Sequence, residues 1–192
     1  MKRNVKGFTI LELVVVLAII GILLGVLVPS VMHYYSQSKL KNQFANAKVV
    51  FNASQTVVQK FEFMERSTGT TAFHDGTDKW GVSIYCENGK LAKANDGAPS
   101  SLTAERLTAY ESFCDQVGTI FTDYQESSWA VYIENYIVRV AVCAARSDDF
   151  YVGYYPRPSS EEMKKSDHSM QSLASQASLK TRAGEFWGSD MN

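Results

Sequence analysis

The chain has 192 residues, 45% of them hydrophobic and 20% charged, with a formal net charge of −1. That length supports one modest globular domain with appendages rather than two full domains. The near-neutral balance lacks the basic excess of a nucleic-acid binder, so no nucleic acid is predicted for the globular part.

At the N-terminus, Lys2, Arg3 and Lys6 precede an apolar run from Phe8 to Val28 in which Glu12 is the only charge. As a helix at about 1.5 Å per residue the run is roughly 30 Å long, enough to cross a bilayer. The basic flank keeps the N-terminus cytoplasmic and places the bulk of the chain outside. A cleaved secretory signal would need a small-x-small site after its apolar core, and Val26-Leu27-Val28-Pro29 offers none. Glu12 opposes insertion by about 2.5–3.5 kcal/mol, taking the translocon value for Asp as a proxy. A cut between Gly7 and Phe8 would change that balance, because Phe8 would gain a cationic amine one helical turn from Glu12. Two unit charges about 4 Å apart attract by roughly 4 kcal/mol at an effective dielectric near 20. Closed within one helix or between neighbouring helices, the pair offsets the cost of the carboxylate.

The stretch Lys6-Gly7-Phe8-Thr9-Ile10-Leu11-Glu12-Leu13, behind a short basic leader, resembles the prepilin motif of type IV pilins and pseudopilins. The resemblance covers the leader and the apolar run. It implies cleavage after Gly7 by a membrane prepilin peptidase, N-methylation of Phe8, and contact between Glu12 and the Phe8 amine of an adjacent subunit in a helical filament. It also implies an α+β fold, in which a long N-terminal helix, membrane-spanning in its first half and amphipathic in its second, packs on a small antiparallel β-sheet. Gly21-Ile22-Leu23-Leu24-Gly25 has a spacing that lets helices approach closely in lipid. Pro29 lacks the N–H that would bond the Gly25 carbonyl. The family resemblance implies a helix that bends and locally melts between Gly21, Gly25 and Pro29 in the filament; a passive kink is the plainer alternative.

Beyond Pro29 the pattern becomes one-sided. Leu40, Phe44, Ala47, Phe51, Ser54, Val58 and Phe61 recur at steps of three and four, which predicts an amphipathic helix packed on a sheet. It runs to Arg66 and ends at Ser67-Thr68-Gly69. His74-Asp75-Gly76-Thr77-Asp78 reads as a turn; its two aspartates supply too few oxygens for calcium. Asp78-Lys79-Trp80-Gly81 is faintly similar to a loop motif of major pseudopilins. A strand over Trp80–Cys86 leads to a second turn at Glu87-Asn88-Gly89-Lys90, and Leu102–Val117 reads as a short amphipathic helix. Strands over Trp129–Glu134 and Tyr136–Ala145, around an Asn135 turn, and over Phe150–Tyr155 form an antiparallel meander, with Val138, Val140 and Val142 alternating onto its buried face.

The three cysteines, Cys86, Cys114 and Cys143, are too few and too scattered for a zinc site; an exported domain would join two and leave one. By alternation Cys86 shares a face with Val82 and Ile84, whereas Cys143 lies with Arg139 and Ala141, opposite Val142. A Cys86–Cys143 bond would have to reach between faces, which favours Cys114 with either partner, and all three pairings stay open. After Pro156-Arg157-Pro158 the composition turns to serine, lysine and glutamate. This predicts a polar tail with a frail helix near Glu161–Leu179, whose Phe186 and Trp187 either dock on the head or lie free. The resulting organisation is a leader over 1–7, a spine helix over 8–66 with 8–28 for membrane and polymerisation, a head over 67–158 and a tail over 159–192.

Little in the chain suggests catalysis. His33, His74 and His168 are far apart in sequence, and no phosphate loop or nucleophile elbow is present. The pairs Asp148-Asp149 and Glu161-Glu162 read as turn and surface residues. No enzyme activity, cofactor or metal is expected. The expected protein is a structural subunit of a type IV pilus, a single-pass membrane protein before assembly and a cell-surface filament after it. Its partners would be further copies or other pilins, the prepilin peptidase, the membrane assembly machinery and the lipid bilayer. The alternatives are a pseudopilin of a type II secretion or DNA-uptake system, or an adhesive minor pilin with ligand-stacking aromatics.

Overall fold

The computed structural model describes residues 9–74, 76–77, 80–95, 102–157 and 163–187. The chain divides into two compact units, Met1–Ser38 and Lys39–Asn192. Helix α1 (Ile10–Thr68) contributes residues to both. In the first unit α1 continues through Gly21, Gly25 and Pro29 without interruption. The expected break is thus absent from this structure: a proline deletes one hydrogen bond, and the surrounding ladder holds the helix together.

In the second unit α1 buries Leu40, Ala47, Val50, Val57, Val58 and Phe61. This is the expected stripe, with Phe44 and Phe51 half-buried on its flank. The helix extends two residues past Arg66, and the Gly69 N–H closes it by donating to the Glu65 carbonyl at 2.8 Å.

The sheet comprises β1 (Gly81–Glu87), β2 (Lys90–Asn95), β3 (Ser128–Glu134), β4 (Ile137–Ala144) and β5 (Gly153–Tyr155). The strands are antiparallel in the order β2-β1-β3-β4-β5. This is the α+β arrangement, a long N-terminal helix on an antiparallel sheet, that the pilin resemblance implies. Strand β2 goes beyond the sequence reading. Lys90, Lys93 and Asn95 have little preference for strands; the hairpin turn imposes the pairing instead, with Asn88 and Gly89 at φ of 51° and 75°. Helix α2 (Ala104–Gly118) is capped by Thr103, whose hydroxyl accepts from the Arg106 N–H, and is followed by a 3-10 turn at Thr122–Glu126.

Both faces of the sheet are buried. One face packs Val82, Ile84, Trp129, Val131 and Ile133 against α1 and α2. On the other, Tyr85, Ala130, Tyr132, Val140 and Val142 are covered by α3 (Met170–Leu173) and α4 (Gln176–Trp187). Two expectations are corrected here. Val138, Val140 and Val142 do not share a face: the β3–β4 register shifts after Tyr132, which pairs with Val140 while Ile133 pairs with Val138. Arg139 is the extra residue, and a bulge reverses the side-chain parity on either side of it. The predicted polar tail is the second. Glu161 and Glu162 lie outside the described residues, but Met170, Ala174, Leu179 and Ala183 are buried on the sheet. These small and apolar side chains, on α3, the link after it and α4, face the sheet amid serines and lysines. Trp187 docks through its indole N–H, which donates to the Arg139 carbonyl at 2.8 Å.

The expected strand over Phe150–Tyr155 shrinks to three residues because the chain before it bonds elsewhere. Ser166 and Met170 N–H groups donate to the Phe150 and Asp149 carbonyls. Strand β5 lies so close to α1 that a Cβ on Gly153 would sit 2.1 Å from the Gln43 carbonyl carbon and 2.3 Å from the Phe44 nitrogen. Those are backbone atoms, and relief would require moving a whole element. Gly153→Ala is therefore expected to lower head stability by about 1–3 kcal/mol, the usual cost of overpacking, as read by denaturant unfolding of the solubilised chain; unchanged stability would contradict the close approach.

Candidate processing and assembly site

Gly7 and Phe8, the expected cleavage and methylation residues, lie outside the described residues. The site is described from Thr9 onward. Thr9 precedes the first helical residue, and Glu12 occupies the third position of the helix. The Thr9 N–H and hydroxyl both donate to Glu12 Oε2, at 2.9 and 2.8 Å, and the Thr9 hydroxyl oxygen accepts from the Glu12 N–H at 3.3 Å. This reciprocal pattern is a capping box, which satisfies donors that a helix start leaves open. Sequence reasoning considered Glu12 only as a charge and missed the cap, although Thr-x-x-Glu before an apolar run is its signature. Both recorded bonds engage Oε2, and among the described residues none engages Oε1.

From Leu13 to Val28 no described residue covers the helix. Large apolar side chains from Ile10 to Val28 are exposed, from 45% at Ile20 to 83% at Ile10. An 18-residue window reaches a mean hydropathy of 3.1 with none of it buried, so α1 is long and apolar enough to cross a membrane. Gly21 and Gly25 have open space around them, where another helix would fit.

The described residues of the head supply no comparable chemistry. Among the described residues no three His, Cys, Asp or Glu side chains converge as metal ligands; Asp75 and Asp78 lie outside those residues. The notable polar cluster is a structural anchor missed from sequence. Glu65, buried one turn before the end of α1, accepts from the Phe73 and His74 N–H groups and from the Tyr136 hydroxyl. Burial, reinforced by the Glu65 carboxylate, raises the Tyr136 phenol above its ordinary pKa. His74 stacks on the same ring at 4.8 Å. These contacts hold Tyr136 at a φ of 62° in the β3–β4 turn, a conformation an aromatic residue rarely adopts. A signal did exist, since Glu65 lies four residues after Phe61 and seven after Val58 on the packed stripe.

Cys86 and Cys114 form a disulfide, and Cys143 is a buried free thiol. The expectation that Cys86 and Cys143 occupy opposite faces is corrected. Cys86 pairs with Trp129, and Trp129 with Cys143, so the three form one row across the sheet on the α1 side. Alternation orders residues within a strand but cannot compare faces between strands without their register. Two strand spacings, roughly 10 Å, separate this pair, whereas α2 brings Cys114 directly onto Cys86. Burial pushes the Cys143 thiol up, away from the reactive thiolate.

The described chain is an α+β protein whose long helix starts at a Thr9–Glu12 cap and is apolar and exposed as far as Val28. Residues 2–28 match the family model for the prokaryotic N-terminal methylation motif. The chain thus carries the type IV pilin and pseudopilin signal, that of a pilin-like substrate of a prepilin peptidase. No curated protein and no solved structure shows a significant match.

Peptide mapping without reduction should yield a Cys86–Cys114 cross-link, with Cys143 alkylated only after denaturation. Rapid labelling of Cys143 in the folded chain would contradict its burial.

Proposed function

We propose that this protein is a structural subunit of a type IV pilus. It enters the membrane through α1 with a cytoplasmic N-terminus, is cut between Gly7 and Phe8, is N-methylated at Phe8 and is then polymerised into a surface filament. The observation that carries this reading is a coincidence within one segment: the methylation motif over residues 2–28 takes in the exposed apolar stretch of α1 up to Val28, in which Glu12 is the only charge. After cleavage the new amine would lie one residue before Thr9. Oε2 of Glu12 is engaged by Thr9, and Oε1 remains for an incoming ammonium from a neighbouring copy. The exposed apolar sides and Gly21 and Gly25 then give helices a surface on which to meet. Bending or melting between Gly25 and Pro29 belongs to this filament state.

The same processing signal serves pseudopilins, and a pseudopilin of a type II secretion or DNA-uptake system is the second reading. It is favoured by Asp78-Lys79-Trp80-Gly81, of which Trp80 is buried in the head core and Gly81 opens β1. In either case the partners are further copies, the peptidase, the membrane assembly machinery and the bilayer.

The mass of the N-terminal peptide from membrane and filament fractions tests the processing step. The expected mature chain begins at methylated Phe8; one beginning at Met1, or after Val28, overturns the proposal. Glu12→Ala is expected to leave the subunit inserted and processed but abolish filaments recovered by shearing. Normal filament yield from that variant would remove the role given to the carboxylate.

A further inference from the structure

The near-zero net charge of the chain conceals an uneven layout in the head. Around β5, Lys39 and Lys48 flank the two sides of α1, and Arg157, Lys164 and Lys165 lie beside the same strand and the loop before it. Among the described residues of 39–51, 149–157 and 163–168 six cations accompany two carboxylates, Asp149 and Asp167; Asp148 pairs with Arg146, and Glu161 and Glu162 lie outside the described residues. Aromatic rings fix the layout: Lys39 and Lys165 each lie 5.4 Å from the Tyr151 ring, Lys48 lies 5.8 Å from that of Tyr155, and Arg157 lies 5.0 Å from that of Phe44. Lys41 shares the side of Lys48 by its seven-residue spacing.

The opposite edge carries the other sign. Helix α2 packs beside β2 and exposes Glu105, Glu111 and Asp115, and the 3-10 turn after it exposes Asp123 and Glu126. Arg106 is the one cation between Thr103 and Glu126. Strand β2 itself bears Lys90 and Lys93, so the acidic character belongs to α2 and the turn rather than to the strand. Exposed Leu107 and Ile120 lie among these acids, and exposed Phe150 lies on the basic side.

Four strand intervals separate the edges, roughly 19 Å at about 4.8 Å each. That is more than twice the Debye length of about 8 Å at physiological ionic strength. The two edges therefore cannot neutralise one another within one head. We propose that the basic β5 edge of one subunit docks on the acidic α2 side of the next. Like edges repel, which disfavours a two-fold pair through either edge. An unlike-edge contact is heterologous, and such a contact closes into a ring or propagates as an open helix. The proposal rests on the filament reading and names the head surfaces within it. A nucleic acid would match the basic edge and leave the acidic side without a counterpart, whereas a second copy matches both.

The test uses the full chain in cells that process it, with sheared filament yield as the readout. Reversing the basic edge (Lys41→Glu, Lys48→Glu, Lys164→Glu) or the acidic side (Glu111→Lys, Asp115→Lys, Asp123→Lys) should each lower the yield about tenfold or more. Carrying both reversals in one chain should restore filaments, because the charges again oppose. All six side chains are exposed, and matching thermal unfolding of the solubilised subunits checks that the heads fold. The neutral set (Lys41→Gln, Lys48→Gln, Lys164→Gln) should give an intermediate yield and weaken the salt sensitivity of the filaments. Wild-type yield from either single-edge reversal, or no recovery in the combined chain with its head intact, overturns this inference and leaves the filament reading standing. Absence of filaments from the processed wild-type chain overturns both. Undiminished filaments from the basic-edge variant, together with loss of single-stranded DNA retention seen with the wild type, would assign the edge to nucleic acid instead.

Discussion

The Glu12 carboxylate in an uncovered apolar helix is the constraint on which the rest depends. Among the described residues nothing buries the apolar side chains of α1 from Ile10 to Val28, a surface that lipid or other copies can cover. The two coverings are nearly equivalent for the hydrocarbon side chains, because lipid tails are as apolar as leucine. They differ at Glu12. Thr9 satisfies one carboxylate oxygen through the cap, and lipid offers the other no donor. In the proposed filament a neighbouring processed subunit would offer an ammonium group. Proteolysis would then create the partner of that carboxylate oxygen, and the contact would stay latent until processing.

The head obeys a different constraint, since its sheet is buried on both faces. Helices α1 and α2 occupy one, and α3 and α4 close the other. The contact at Gly153 shows how tightly the first layer is set, with strand backbone against helix backbone and no room for a methyl group. The disulfide ties α2 to β1, and Glu65 ties the end of α1 to the β3–β4 turn. With both faces used internally, the surfaces left for other molecules are the sheet edges and the outer sides of the helices. Those are where the charges lie.

Much of the fold was legible because its signals are local. The stripe from Leu40 to Phe61 gave α1, Asn88-Gly89 gave a turn though not the strand β2 after it, and strong alternation gave β1, β3 and β4. What escaped depended on register or on distant partners. The bulge at Arg139 is invisible without the facing strand, and it separated Val138 from Val140 and Val142. Cys143 could not be placed relative to Cys86 until Trp129 was known to lie between them. The C-terminal helices escaped because their apolar contribution is small, with alanines at 174 and 183 among serines and lysines; only the sheet face beneath makes them worth burying. At the candidate site, the charge anomaly of Glu12 was plain in the sequence. The Thr9 cap was equally local, written as Thr-x-x-Glu ahead of an apolar run.

The two assembly contacts proposed here differ in physical kind, and the difference has a consequence. A charge pair among apolar helices is weakly screened and strong, but it is a single contact at the helix start and fixes little about how the heads are rotated. Contacts between charged head edges are exposed and individually weak, of the order of 1 kcal/mol or less, yet several of them spread over a rigid sheet fix orientation. The buried pair would therefore decide whether subunits associate, and the edges would decide in which rotation they do so. A sheet with opposite charges at its two ends suits that second task, since only a continuing, same-sense arrangement satisfies both ends of every copy at once.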